Sequence, residues 1–262
     1  MGDDGRMPEG DAVRRTARRL DHALAGEVLV RADVRVPRFA TVDLTGMQVL
    51  GTHVIGKHML TRLVAEQREW TLHHHLRMDG SWRTGPPGAP GAPGHQIRVW
   101  LATSSAQAVG VRVHDVEVRR TREEAHWVGH LGPDIMAEGF DPESAGQVLA
   151  SADRPLVEAL LDQRLVCGMG TIWASELASE VGASPHARTS LVVGLAEGLT
   201  SIRARMLRAV DAPVASRREL RVFERTRQPC RRCGTPIRAG RVGVAPMDRP
   251  TYWCPRCQPE PA

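Results

Sequence analysis

At 262 residues, with 42% hydrophobic and 25% charged residues, the chain has the composition of a soluble globular protein with one large domain or two to three small ones. No apolar run approaches the 18 residues of a membrane span, and the acidic opening stretch 1–11 lacks the apolar core of a signal peptide, so a cytosolic protein is expected. The net charge of +5 is unevenly placed: from Arg217 onward eleven arginines face four carboxylates, a local +7 that leaves −2 on the first 216 residues and suggests a polyanion gripped near the C-terminal end.

Val13, Ala17, Leu20 and Leu24 recur at helical spacing, and Gly26 supplies a stop. Period-two patterns then predict strands over 27–36, 48–55, 70–77, 96–102 and 109–118. The Gly- and Pro-rich tract 85–94 is expected as a flexible surface loop. One helix followed by a strand-rich run makes residues 1–125 a β-sandwich or barrel with an N-terminal helix. The pattern then turns helical: Asp141 precedes Pro142 as a cap before a proline at the first helical position, and helices are expected over 154–166, 171–181 and 190–210. Leu195, Leu199, Ile202 and Met206 form a stripe on the last of these, read as core. In the turn Cys167-Gly168-Met169-Gly170 the glycines are expected to leave backbone N–H groups uncovered at a helix N-terminus, where a phosphate binds readily.

Cys230-x2-Cys233-x20-Cys254-x2-Cys257 reads as a zinc ribbon, since each C-x2-C turn aims two thiolates at one tetrahedral ion and a reducing compartment disfavours disulfides. Cys167, the fifth cysteine, is read as a small buried hydrophobe. Lys57 is the single lysine, set against 34 arginines. A composition that has pushed almost every basic position to arginine singles out the one place where a compact ammonium is kept. In the His73-His74-His75 run, strand alternation turns His74 away from its neighbours, and no metal is assigned there.

Together the stretches MPEGD (7–11), GKH (56–58), HLRMDGSW (75–82), LGPD (131–134), LLDQRLVCGMGTIWASE (160–176), PCRRCGTPI (229–237) and DRPTYWCPRCQ (248–258) resemble the formamidopyrimidine-DNA glycosylase / endonuclease VIII family of base-excision repair enzymes, in the family's order over almost the whole chain. The resemblance implies an α+β chain: an N-terminal β-sandwich catalytic domain over 1–125 with 1–6 as an extension, a linker over 126–140, a helix–two-turn–helix domain over 141–226 and a four-cysteine zinc finger over 227–262. It implies a monomer acting on damaged DNA, cytoplasmic and nucleoid-associated, with one structural Zn²⁺ on Cys230, Cys233, Cys254 and Cys257.

By the same resemblance Pro8 is the amine nucleophile, whose secondary nitrogen leaves a cationic iminium, and Glu9 is the acid/base. Lys57 contacts the phosphates beside the lesion, Arg249 clamps those of the extruded nucleotide, and Met78 is wedged into the gap it leaves. Gly168, Gly170 and Thr171 belong to the phosphate-binding turn, with Thr171 standing where the family has asparagine. Three more departures matter. Residues 1–6 precede Met7, and with them in place the Pro8 nitrogen is an amide, so the alternative expectation is a damage-binding protein without catalysis. No Asp-x-Arg-Arg-Phe segment follows the last strand. Gly10-Asp11 and the short stretch 211–228 favour the endonuclease VIII branch and oxidised pyrimidines.

Overall fold

A computed structural model describes residues 8–260. The expectations placed on residues 1–7 lie outside the described residues. The chain divides into two units: residues 12–130 with Pro8, and residues 131–260 with Glu9, Gly10 and Asp11.

The helix read from the apolar spacing is α1, Gly10–Leu24, which buries Val13, Ala17, Leu20 and Leu24 on one face. Eight strands follow: β1 Arg31–Val34, β2 Gln48–Ile55, β3 His58–Ala65, β4 Arg68–His75, β5 Ser81–Gly85, β6 Ile97–Ala102, β7 Gln107–Val111 and β8 His114–Arg120. They pair antiparallel as two four-stranded sheets, ordered β1-β6-β7-β5 and β2-β3-β4-β8. Val34, Val99 and Leu101 of one sheet share a core with Met59, Leu63, Leu72 and Val118 of the other and with the apolar face of α1, which is the expected sandwich. A single helical turn, α2 Ala125–Val128, closes this unit with Trp127 buried.

The differences from expectation are local. The strand expected over 27–36 is regular only in β1, with Val28 making one isolated bridge to Gln48. The segment 109–118 is two strands, broken where Arg112 takes a φ of +51°. β3 and β5 were not expected; Met59, Leu60 and Thr61 are buried in succession in β3, so the alternation that marks a half-buried strand is missing. The tract 85–94 is irregular, yet Ala92 packs against the cluster of Ile97, Val109 and Val111.

In the second unit α3, Pro142–Ala152, starts as expected: the Asp141 carboxylate accepts from the N–H groups of Glu143 (3.0 Å) and Ser144 (3.4 Å). Next come α4 Leu156–Leu161, α5 Thr171–Glu180, α6 Leu195–Asp211 and α7 Pro213–Arg218. Leu195, Leu199, Ile202 and Met206 are core, packed with Leu156, Leu160, Trp173 and Leu177. The helix expected over 154–166 is only α4, because Asp162 takes an extended backbone and its carboxylate accepts from Arg154 and Arg164. The helix expected over 190–210 begins late, after Gly194 at a φ of +79°. The stretch 211–228, read as a short loop, contains α7.

The chain ends in the hairpin β9 Arg238–Val242 and β10 Arg249–Trp253. Fully buried Glu176, on α5, ties this ribbon to the helices. Its carboxylate accepts from Arg205 (2.8 Å) and from the N–H groups of Arg221 (2.9 Å), Val222 (2.9 Å) and Phe223 (3.1 Å). Among the described residues no helix is long and apolar enough to cross a membrane.

Candidate active site

Glu9 lies just before α1 and is 3% exposed. It docks on the N-terminus of α5: Oε2 accepts from the N–H groups of Gly170 (2.9 Å) and Trp173 (3.3 Å), and Oε1 from that of Ile172 (2.7 Å). A helix N-terminus with its first N–H groups converging favours an acceptor there, and three N–H donors hold the carboxylate in place. Two glycines make room. A Cβ on Gly170 would sit 2.6 Å from the Glu9 carboxyl carbon, and one on Gly10 2.9 Å from the carbonyl oxygen of Gly168, which accepts from the Gly10 N–H. Asp11 adds a second tie, accepting from the Trp173 indole at 3.0 Å.

This corrects one sequence expectation. The N–H groups of Gly168 and Gly170 are not left uncovered for a phosphate: Gly170 gives its N–H to Glu9, and Gly168 gives its own to the side-chain oxygen of Gln163 (3.0 Å). The Gln163 amide also donates to the carbonyls of Leu161 and Met169, so it pins the whole turn. Thr171 is half-buried as the first residue of α5.

In the first unit Lys57 stands in the two-residue turn between β2 and β3, where Gly56 takes a φ of +60°. His58 pairs with His75 and His75 with His114, so the turn at 56–57, the loop 76–80 and the start of β8 share one end of the sheet. Met78 is in that loop and is 51% exposed, outside the core. The loop is held by Arg77 to Asp115 (2.8 Å) and by Asp79 to His114 (2.8 Å).

Behind Lys57 the alternation of β4 separates the histidines as expected. His74 faces inward, its Nδ1 accepting from the Trp82 indole at 3.2 Å. His73 and His75 flank His58 on the other face: His58 Nδ1 is 2.9 Å from His73 Nε2, and His73 stacks on Trp127 at 4.7 Å. Burial holds His58 and His73 down to about 4, and His74 and His75 down to about 3. These rings are neutral at pH 7, whereas in the unfolded chain they titrate near 6.5. Unfolding therefore takes up protons as the pH falls from 6.5 towards 3, and their contribution is complete above pH 6.5 and lost across that window. Melting temperature is expected to be level above pH 7 and to drop through that window, with His73 alone accounting for about 3 kcal/mol. A melting profile flat from pH 7 to 4 would contradict it.

In the ribbon the four sulfurs of Cys230, Cys233, Cys254 and Cys257 lie within 4.8 Å of one another. Cys233 and Cys254 are 3.5 Å apart and Cys230 and Cys257 4.0 Å, close to the roughly 3.8 Å edge of a tetrahedron of thiolates around one ion and far beyond a disulfide bond. Arg249, on β10, is half-buried, and its guanidinium donates to the carbonyls of Met247 (3.1 Å) and Asp248 (3.3 Å).

Residues 7–123 match the family model of the formamidopyrimidine-DNA glycosylase N-terminal domain. A probable endonuclease 8 2 of Streptomyces coelicolor is 47% identical over 98% of this chain and 95% of its own length. The chain belongs to the formamidopyrimidine-DNA glycosylase / endonuclease VIII family. A DNA-(apurinic or apyrimidinic site) lyase Nei2 of Mycolicibacterium smegmatis is 40% identical over 96% of this chain and 99% of its own length, in keeping with the endonuclease VIII-like branch. The fold is shared with Lactococcus lactis formamidopyrimidine-DNA glycosylase, solved with DNA containing an abasic site: TM-score 0.82, 24% identity, covering 97% of this chain and all of that one. Within the family's motifs Gln163, Glu176 and the Asp11–Trp173 pair had drawn no role from the sequence. The signal was present in LLDQ and WASE, but what each side chain bonds is set by tertiary contacts.

Proposed function

We propose that this chain excises oxidised pyrimidines from damaged DNA through a Schiff base on Pro8 and then nicks the abasic site by β,δ-elimination. Its family and its relatives make it a DNA glycosylase / AP lyase. The observation that carries the finer reading is the docked Glu9 carboxylate, covalently next to Pro8 and seated on the N-terminus of α5. The family match begins at residue 7, directly before Pro8, which supports reading Pro8 as the terminal proline of the active form.

In this reading the Pro8 nitrogen attacks C1′, and the bond to the base breaks with its electron pair leaving on the base. The C1′–O4′ bond then opens to give the iminium, which accepts electrons as the C2′ proton is removed and the 3′ phosphate departs, and a second elimination releases the 5′ phosphate. Glu9, seated on the N-terminus of α5, first takes a proton and returns it as the sugar ring opens. Lys57, Thr171 and Arg249 hold phosphates, Met78 occupies the gap left by the base, and the backbone of Gly168 and Gly170 serves the phosphate turn by seating Glu9 and α5. Cys230, Cys233, Cys254 and Cys257 fit one Zn²⁺, which would order the hairpin that carries Arg249.

The endonuclease 8 names of relatives at 47% and 40% identity and the compact 211–228 stretch with α7 support pyrimidines as substrates. The test is excision by protein beginning at Pro8 from duplexes carrying a 5,6-saturated pyrimidine or 8-oxoguanine. The pyrimidine is expected to leave about tenfold faster or more, a difference of 1.4 kcal/mol in barrier. An 8-oxoguanine rate equal or higher would overturn the pyrimidine assignment, and no cleavage of either would overturn the whole reading.

A further inference from the structure

A cavity of about 690 Å³ opens within the second unit, and five arginines line it: Arg205 and Arg208 of α6, Arg221, Arg231 and Arg232. A volume of this size suits a small-molecule ligand. Glu219 is the one acidic residue among those that line it, and neither Thr171 nor Arg249, the phosphate contacts proposed above for this unit, is one of them. The arginines differ in what holds them. Arg205 is 8% exposed; its Nη2 donates to Glu176 at 2.8 Å, while Nη1 is buried with no hydrogen-bond partner, Glu180 Oε2 standing 3.8 Å away. A buried guanidinium N–H left unpaired is costly, and a ligand that completes it gains accordingly. Arg221 is tied to Glu180 at 2.8 Å. Arg208, Arg231 and Arg232 are exposed. Arg231 donates to the carbonyl of Arg218 at 2.7 Å, and among the described residues the guanidinium groups of Arg208 and Arg232 have no hydrogen bond or ion pair.

We propose that this cavity binds a small polyphosphate anion, of the class of tripolyphosphate or a nucleoside triphosphate, at a site that shares none of the proposed DNA contacts. The proposal does not rest on the glycosylase reading. Its basis is the number of unfilled guanidinium forks. Each fork takes two anionic oxygens in one plane, so a single carboxylate fills one fork and leaves the others bare. Several forks around one cavity call for several anionic groups within a few ångströms, and linked phosphates supply them. Arg231 and Arg232 are also the two residues between Cys230 and Cys233, where four thiolates on one Zn²⁺ leave a net negative charge. That charge is offset through space and occupies none of the guanidinium N–H groups. Arg208 lies on α6, outside the cysteine turn, so neutralising the metal centre does not account for its place in the cavity.

The test uses the zinc-loaded full chain at about 0.15 M salt, with binding followed by isothermal titration calorimetry and zinc content measured for each protein. Tripolyphosphate and ATP are expected to bind with a Kd of about 100 µM or tighter, and inorganic phosphate about tenfold more weakly or worse, because it fills fewer forks. Arg208→Gln should weaken tripolyphosphate binding about tenfold or more, and Arg231→Gln with Arg232→Gln at least as much. Should that pair lose zinc, Arg208→Gln alone carries the comparison. Arg68→Gln with Arg122→Gln removes as much charge from two exposed arginines of the first unit and should change the affinity by less than about twofold. Arg249→Ala should bind tripolyphosphate as the parent does. A parent Kd weaker than about 1 mM would overturn the site. So would a loss in the Arg68 and Arg122 pair equal to that in Arg208→Gln, since overall charge would then explain binding. Loss in Arg249→Ala would put the ligand on the proposed DNA clamp, and displacement of tripolyphosphate by an equimolar undamaged duplex would assign the cavity to nucleic-acid phosphates; either result overturns the proposal. A polyglutamate peptide binding about tenfold tighter than ATP would overturn it as well, in favour of an acidic protein segment.

Discussion

Protein beginning at Pro8 is expected to be trapped covalently on abasic-site DNA by borohydride, and protein retaining residues 1–7 to give no adduct. The difference is close to all or none because it turns on one lone pair. A terminal proline nitrogen is a secondary amine that adds to the C1′ aldehyde, loses water and leaves an iminium that hydride reduces to a stable amine. Joined to Met7 the same nitrogen is a delocalised amide and cannot add. The sandwich, helices and ribbon are common to both forms, so the longer protein should bind the DNA with comparable affinity. Mass spectrometry of the adduct would locate the link. If the longer form is trapped equally well, Pro8 is not the nucleophile, and Lys57, the only lysine, becomes the first suspect. If neither form is trapped while both bind, the chain is a damage binder without lyase chemistry.

The sequence was most informative where chemistry is local. The C-x2-C pairs announce converging sulfurs because each turn fixes its own geometry, and the structure brings all four together. Asp141-Pro142 and the α6 stripe were legible for the same reason: a cap bonds two residues away, and a helical face repeats within one element. Strands buried on both faces lose their alternation, and β3 went unseen on that account. The glycines around Met169 were read as an open phosphate cradle because their N–H groups have no partner within the local sequence. Their actual partners are Gln163, five residues before Gly168, and Glu9, 161 residues away from Gly170. Nothing in the turn itself encodes an acceptor that distant.

In protein beginning at Pro8, Glu9→Gln should slow base release by roughly 10²–10⁴-fold while leaving DNA affinity nearly unchanged, the range for loss of a general acid–base group. The amide cannot take up the proton, and it must also turn a donor towards one of the α5 N–H groups that the carboxylate accepts from. Gly170→Ala makes the sharper case because it leaves Glu9 chemically intact. The new methyl would fall within 2.8 Å of three Glu9 atoms, the carboxyl carbon, Oε1 and Cγ, and those atoms are the far end of a flexible side chain. Gly170 has a φ of −134°, which alanine adopts without strain. The fold should therefore survive with Glu9 pushed off its seat, and base release should fall by about 10²-fold or more with binding little changed. Because both substitutions remove the same group from the same place, the double variant should be no slower than Glu9→Gln alone. Single-turnover excision on one lesion duplex measures all four proteins. A Gly170→Ala protein that releases base at the parental rate would mean that the carboxylate seated on α5 is a structural tie, and that the proton moves through another group.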